Sequence, residues 1–174
     1  GVGASAAYRH CVLSKDDYYQ SIARTVAYRG NCVGRVVGAI AVVDDRIVAT
    51  GYNGVAAGLR NCLDGGCTRC RERETFPTGT SYDLCICVHA EANTIAMAAR
   101  AGIALRGATL CTTGQPCFGC AKELLEVGIG QVIYEREWTP DPKMLADYGM
   151  LQQALNACQR TPDESPVDLP PKHL

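Results

Sequence analysis

The stretch from Asn61 to Ser81, NCLDGGCTRCRERETFPTGTS, limits more than any other how this 174-residue chain can fold. It is rich in glycine, charge and cysteine and has no usable hydrophobic periodicity, and a structureless loop of that length is uncommon inside a compact domain. Something other than apolar burial must order it. Nine of the chain's eleven cysteines lie between Cys32 and Cys120, and in a reducing compartment such clustering points to zinc before disulfides. The candidate ligands are Cys32, Cys62, Cys67, Cys70, Cys85 and Cys87. Four thiolates saturate a tetrahedral zinc, so a structural Zn2+ is expected on four of these six, or neighbouring ions share thiolates. Cys67-x-x-Cys70 beside Gly65-Gly66 has the knuckle spacing zinc needs. The alternative is buried apolar cysteines or an oxidised pair. Cys11, Cys111 and Cys158 read as packing or surface residues.

Around this segment the chain looks like an ordinary globular domain. Residues 16–29, DDYYQSIARTVAYR, carry Tyr19, Ile22, Ala23 and Val26 at helical spacing with acidic residues in the first turn, which predicts an amphipathic helix. The β-branched runs 36–43 and 46–52, separated only by Asp44-Asp45, predict an antiparallel hairpin, and YNGVAAG turns the chain at Asn53-Gly54. Helix is expected over 89–101, strand over 108–112, helix over 117–127, strand over 131–134 and a last helix over 143–157. The alternation implies an α/β fold, a central sheet with covering helices. The organisation expected is an N-terminal extension over 1–15, one domain over 16–158 with a cysteine-rich insertion at 61–87, and a proline-rich, polar, disordered tail over 159–174.

Composition narrows the function. Lysine plus arginine is 17 against 18 acidic residues, the net charge is −1, and there is no basic run, which disfavours a nucleic-acid polymer as partner. No apolar run reaches the roughly 20 residues of a membrane span, and the N-terminus lacks the regions of a secretory signal, so no membrane partner and a cytoplasmic location are expected.

The chemistry is written in two short motifs. His89-Ala90-Glu91 is followed, one helix and one strand later, by Pro116-Cys117-Phe118-Gly119-Cys120. This order, H-x-E and then P-C-x-x-C, is the pattern of zinc deaminases. Cys117 and Cys120, three apart at a helix start, share one face where helix dipole and metal both favour thiolate. His89 would be the third ligand of this catalytic Zn2+, leaving a fourth position open, as a catalytic site requires. Glu91, two residues from His89, faces elsewhere and is better placed as proton carrier than as ligand. A catalytic zinc lowers the pKa of water to about 7. Hydroxide is then available to attack a ring carbon bearing an amino group, with Glu91 taking the proton, delivering it to the ring nitrogen and assisting departure of ammonia. An incidental cysteine pair and a core histidine are the bland alternative. His10 and His173 fall in the expected tails.

Beyond these motifs, NCVGRVVGAIAVVDDRIVATGYNG, NCLDGGCTRC, CICVHAEANTIAMAA and ATLCTTGQPCFGCAKELLEVGIGQVIYE together resemble the deoxycytidylate (dCMP) deaminase family, in its cysteine-rich subtype, over about residues 18–135. The resemblance implies a cytidine-deaminase-like three-layer α/β/α fold with a mixed central sheet of about five strands. It implies conversion of dCMP to dUMP and ammonia, an Asn53 hydrogen bond to the deoxyribose and a contact from the Ala90 backbone to the pyrimidine. It also implies a structural zinc whose ligands correspond most directly to Cys32, Cys62 and Cys87. Many members are hexamers regulated by dCTP and dTTP, so a homo-oligomer and a Mg2+-bound nucleotide effector are expectations too. Arg35 is the candidate for the 5′-phosphate, because its guanidinium fork suits phosphate oxygens; a solvated arginine at a strand start is the alternative. Thr94 stands where the family usually has alanine. After Trp138 the chain reads YGMLQQALNACQ in place of the expected final strand, which leaves the fifth strand open. Two other functions compete: the same chemistry on dCTP, cytidine, guanine or a tRNA adenosine, and a zinc-stabilised interaction module without catalysis, for which Glu91 would have no use.

Overall fold

The computed structural model describes residues 13–77 and 80–160. His10, Cys11, His173 and most of the expected extension and tail lie outside the described residues. Helix α1 spans Lys15–Ala27 and opens at Ser14, whose hydroxyl accepts the Asp17 N–H, an N-cap that satisfies one of the donors a helix start leaves over. The hairpin follows as β1 (Gly38–Val43) and β2 (Arg46–Tyr52), paired antiparallel with a bulge between Ala41 and Val42. Asp44 and Asp45 both adopt positive φ, at 48° and 61°, the turn geometry whose twist matches paired strands and which aspartate tolerates better than most residues.

A short strand β3 (Gly54–Val55) leaves the main sheet to pair with β4 (Cys87–Val88). Between them the cysteine-rich segment holds 3-10 turns and a one-turn helix α2 (Thr68–Arg71). The remainder alternates: α3 (Ala90–Ala101), β5 (Thr109–Gly114), α4 (Phe118–Glu126), β6 (Gln131–Arg136), α5 (Leu145–Ala154) and β7 (Cys158–Gln159). The main sheet is mixed and five-stranded, in the order β2-β1-β5-β6-β7. The β1–β5 pairing is antiparallel, and the β5–β6 and β6–β7 pairings are parallel.

The fifth strand is therefore present, reduced to two residues. The tail expected from residue 159 starts too early: Gln159 belongs to β7, and Arg160 donates its backbone N–H to Tyr134 and pairs with Asp16 and Asp17 of α1. The expected N-terminal extension likewise runs too far, since Ser14 and Lys15 already belong to the capped helix.

Strand alternation divides the core between the two sheet faces. Ile40, Val42, Cys111 and Ile133 face α1, against Tyr19 and Ala23. Ala39, Ala41, Leu110, Val132 and Tyr134 face the other way, packed with residues of α3, α4 and α5. This is the three-layer α/β/α arrangement. Small residues set how closely the layers approach. A Cβ at Gly38 would lie 2.1 Å from the Ala23 carbonyl of α1, and one at Gly51 would lie 2.3 Å from the Ala90 carbonyl of α3. The first turn of α3 is thus seated directly on β2.

Candidate active site

Two helix starts converge at one end of the sheet. His89 and Cys117 occupy the N-cap positions of α3 and α4, each in extended backbone geometry. Pro116, just upstream, is buried, and its carbonyl accepts a 2.5 Å hydrogen bond from the Tyr148 hydroxyl of α5. That bond fixes the entry to the cysteine pair from a third helix. His89 Nδ1 stands 3.4 Å from the sulfurs of both Cys117 and Cys120, and the three donor atoms lie within 4.8 Å of one another. Tyr82 meets the His89 ring edge-on at 5.2 Å.

Electrostatics sharpen the arrangement. Hydrogen bonding from Cys120, opposed by burial and aided by His89, holds the Cys117 thiol well below its ordinary value. The Cys117 contact in turn raises His89 against the effect of its burial. Glu91, 5 % exposed, has its carboxyl pushed up to about 7, chiefly by burial. Such a group is poised to take and give a proton near neutrality. The donor set fits zinc: bond lengths of about 2.3 Å to sulfur and 2.0–2.1 Å to nitrogen give a tetrahedral N···S edge of about 3.5 Å, close to the spacing seen. Three protein donors leave the fourth position open.

Asn53 is 8 % exposed. Its carboxamide accepts the Val37 N–H at 2.7 Å and donates to the Arg35 carbonyl at 2.8 Å, using the oxygen and one of two amide hydrogens. Here its side chain shapes the 35–37 segment. Ala90 is wholly buried and begins α3, so its N–H has no intrahelical acceptor. The Thr94 hydroxyl, equally buried, donates to the Ala90 carbonyl at 2.9 Å, which accounts for threonine at that position.

The Arg35 side chain is exposed and close enough to Arg136 for its charge to help burial lower the Arg136 pKa. Arg136 was not singled out on sequence. It donates to the Thr113 and Val36 carbonyls, while its own carbonyl receives the Gln115 N–H, so both arginines sit at the Pro116 end of the sheet. Asn31 was also missed: its side chain accepts the Val55 N–H and donates to Asn61, and its backbone bonds Asn53 and Leu63, tying the GYNG turn to the cysteine loop. No motif marks Asn31 or Arg136; only tertiary contact does.

The six remaining candidate cysteines gather in a separate cluster. Cys111 is buried in the core under α1, and Cys158 is exposed on β7.

A mixed five-stranded sheet that brings a histidine, a buried glutamate and two cysteines together from two helix starts defines a protein of the cytidine-deaminase-like class. The chain belongs to the family described as cytidine and deoxycytidylate deaminase zinc-binding region, whose model matches residues 13–136. It is 37% identical over 128 residues to the deoxycytidylate deaminase of Schizosaccharomyces pombe, matching 74% of this chain and 39% of that protein. The chain thus spans about two fifths of the length of this fungal relative. A deoxycytidylate deaminase of Mycobacterium phage D29 is 38% identical over 128 residues, covering 70% of this chain and 94% of the phage protein. Among solved structures, the dCMP deaminase of cyanophage S-TIM5 in complex with dCMP and dUMP superposes with a TM-score of 0.63 at 26% identity, over 83% of this chain and 95% of that one. Among the described residues, no helix is long and apolar enough to cross a membrane.

Proposed function

We propose that this chain catalyses the hydrolytic, zinc-dependent deamination of a cytosine nucleotide, dCMP to dUMP and ammonia. The observation that carries the proposal is the buried Glu91 carboxyl beside a three-donor set made of His89, Cys117 and Cys120. A structural metal site has no use for a proton carrier at that place.

In this reading His89 Nδ1 and the two sulfurs hold the zinc, and the Pro116–Tyr148 bond and the α3–β2 contact fix their positions. When bound, the metal lowers the pKa of water into the neutral range and so supplies the nucleophile for C4 of cytosine. Glu91 takes the proton released by that water and passes it to N3 of the ring. A further transfer by the same carboxyl lets the amino group depart as ammonia, so that one water is consumed for each ammonia formed. The Ala90 N–H, without an intrahelical partner, is the proposed contact to the pyrimidine, and the remaining Asn53 amide hydrogen the proposed contact to the deoxyribose. Arg35, with Arg136 beside it, is the proposed 5′-phosphate contact, since paired guanidiniums suit phosphate oxygens. The relatives named deoxycytidylate deaminase, and the cyanophage enzyme solved with dCMP and dUMP, support this substrate.

A structural zinc on the cysteine-rich segment, a homo-oligomer, dCTP and dTTP effectors with Mg2+, and a cytoplasmic setting complete the proposal, on the likeness to the family. The test is Glu91→Gln in the zinc-loaded protein. Turnover of dCMP should fall by about 10³-fold or more with zinc content unchanged, within or beyond the range for loss of a positioned acid–base group. Undiminished turnover would refute the role of Glu91.

A further inference from the structure

Away from the His89 site, six cysteines close into two overlapping groups. The sulfurs of Cys32, Cys62, Cys70 and Cys87 all lie within 4.8 Å of one another, and so do those of Cys67, Cys70, Cys85 and Cys87. Cys70 and Cys87 belong to both groups. We propose that these six thiolates bind two zinc ions as one binuclear cluster, with Cys70 and Cys87 bridging, Cys32 and Cys62 completing one tetrahedron, and Cys67 and Cys85 completing the other. This inference goes beyond a single structural zinc and does not depend on the deamination reading.

The first argument is ligand arithmetic. Two tetrahedral ions need eight coordination positions, and six sulfurs fill them only if two are shared. The fold supplies two sulfurs common to both groups. The second argument is spacing. Cys32 and Cys70 are 3.8 Å apart, and Cys85 stands 3.5 Å from both Cys67 and Cys70. A disulfide would require about 2.05 Å, whereas a zinc tetrathiolate with bonds of about 2.3 Å has an S···S edge of about 3.8 Å. All six are free cysteines.

The third argument concerns what a single ion would leave behind. An ion in the first group strands Cys67 and Cys85, and one in the second strands Cys32 and Cys62. Neither pair is a spare apolar one. Cys67 is 1 % exposed, and its sulfur stands 3.5 Å from that of Cys85, so an ion in the first group alone leaves these two thiols in contact with no metal between them. The Cys62 sulfur accepts the Val33 backbone N–H at 3.5 Å, and the Cys32 sulfur stands 3.8 Å from that of Cys70. An amide donor aimed at the Cys62 sulfur is the kind of outer partner that metal-bound thiolates call for. Two zinc ions with six thiolates also carry the same residual charge as one ion with four. The Arg71 and Arg73 guanidiniums, bound to the Gly65 and Val33 carbonyls, lie alongside that backbone. The cluster takes the place of a core here, since among the described residues the aliphatic side chains packed against the cysteines are Val33 and Val55.

The experiment is metal counting on the full zinc-loaded chain, by native mass spectrometry and elemental analysis. About three zinc ions per chain are expected, one at the His89 site and two in the cluster. Cys67→Ser should remove one cluster ion, while Cys117→Ser with Cys120→Ser should remove only the ion at the His89 site. Cadmium NMR on the unmutated chain gives a second readout that needs no cluster variant to fold: two thiolate-type resonances split by coupling to each other through shared sulfurs. A total of about two ions per chain, or two uncoupled cluster resonances, would overturn the bridged arrangement. A chain that holds the coupled pair yet leaves dCMP unchanged would overturn only the deamination reading.

Discussion

Gly51→Ala tests whether the seat of α3 on β2 positions the chemistry. A Cβ at Gly51 would lie 2.3 Å from the Ala90 carbonyl oxygen and 2.5 Å from both the Thr94 N and Oγ1 atoms. The first two are helix backbone and cannot rotate away. Ordinary contact begins at 3.4 Å, so the start of α3 must retreat by about 1 Å, carrying His89 and Glu91 with it. Overpacking of this kind costs about 1–3 kcal/mol, which for a chain of this size lowers Tm by about 4–8 °C at the middle of the range. A misplacement of about 1 Å at reacting groups costs about 10²-fold in rate, so kcat for dCMP should fall about a hundredfold in a variant that still folds. Gly149→Ala is the control. It lies within α5 with nothing inside 4 Å of its Cβ, so it should leave kcat unchanged and raise stability by up to about 1 kcal/mol. Steady-state ammonia release and thermal melts on both variants decide the matter. Wild-type kcat in Gly51→Ala would refute the claim that this contact sets the site.

Two further perturbations probe the far side of the sheet. Arg24 Nε lies 2.6 Å from Glu135 Oε1 with side chains 20% and 10% exposed, so Arg24→Ala strands a buried carboxylate and should cost about 3 kcal/mol in chemical denaturation, most of it recovered by adding Glu135→Gln. Burial already raises the Glu135 carboxyl despite Arg24; a raised acid is at its most stabilising below its unfolded value and loses that as pH rises through the folded one, so the Arg24→Ala deficit should be smaller at pH 4 than at pH 7, and an equal deficit at both would count against it. Asp17 has the opposite sign: the Ser14 hydroxyl and Arg160 hold its carboxyl below the usual value, so its contribution is present at neutral pH and lost as pH falls through the folded value. Asp17→Asn should therefore flatten the acid side of the stability profile, and an unchanged acid limb would show that the Arg160 tie contributes nothing.

What the sequence revealed depended on how local the cause was. The hairpin was legible because Asp44-Asp45 separates two β-branched runs, and the turn does take left-handed geometry at both residues. The convergence of His89, Cys117 and Cys120 was legible because each motif sits at a helix start and the alternation of elements brings the two starts together. The fifth strand was not, because two residues carry no periodicity; β7 exists through its register with Ile133 and Tyr134 and the Arg160 ties to α1. The gathering of the cysteine segment was legible because its cysteines cluster in sequence, but the membership of Cys70 and Cys87 in both groups is a matter of tertiary distance that spacing cannot encode. The same holds for Asn53, whose carboxamide is spent largely on the 35–37 backbone, and for Arg136, which donates to the Val36 carbonyl beside Arg35.

The most direct test of the central claim is the reaction itself. Zinc-loaded protein is incubated with dCMP, and with deoxycytidine in parallel, and dUMP and ammonia are followed together. The expected result is stoichiometric dUMP and ammonia from dCMP, with kcat/KM for deoxycytidine lower by about 10²-fold or more, as loss of charge-assisted bonds to a phosphate implies. No ammonia from dCMP or any other cytosine nucleotide, in a chain whose His89 site is filled with zinc, would contradict it.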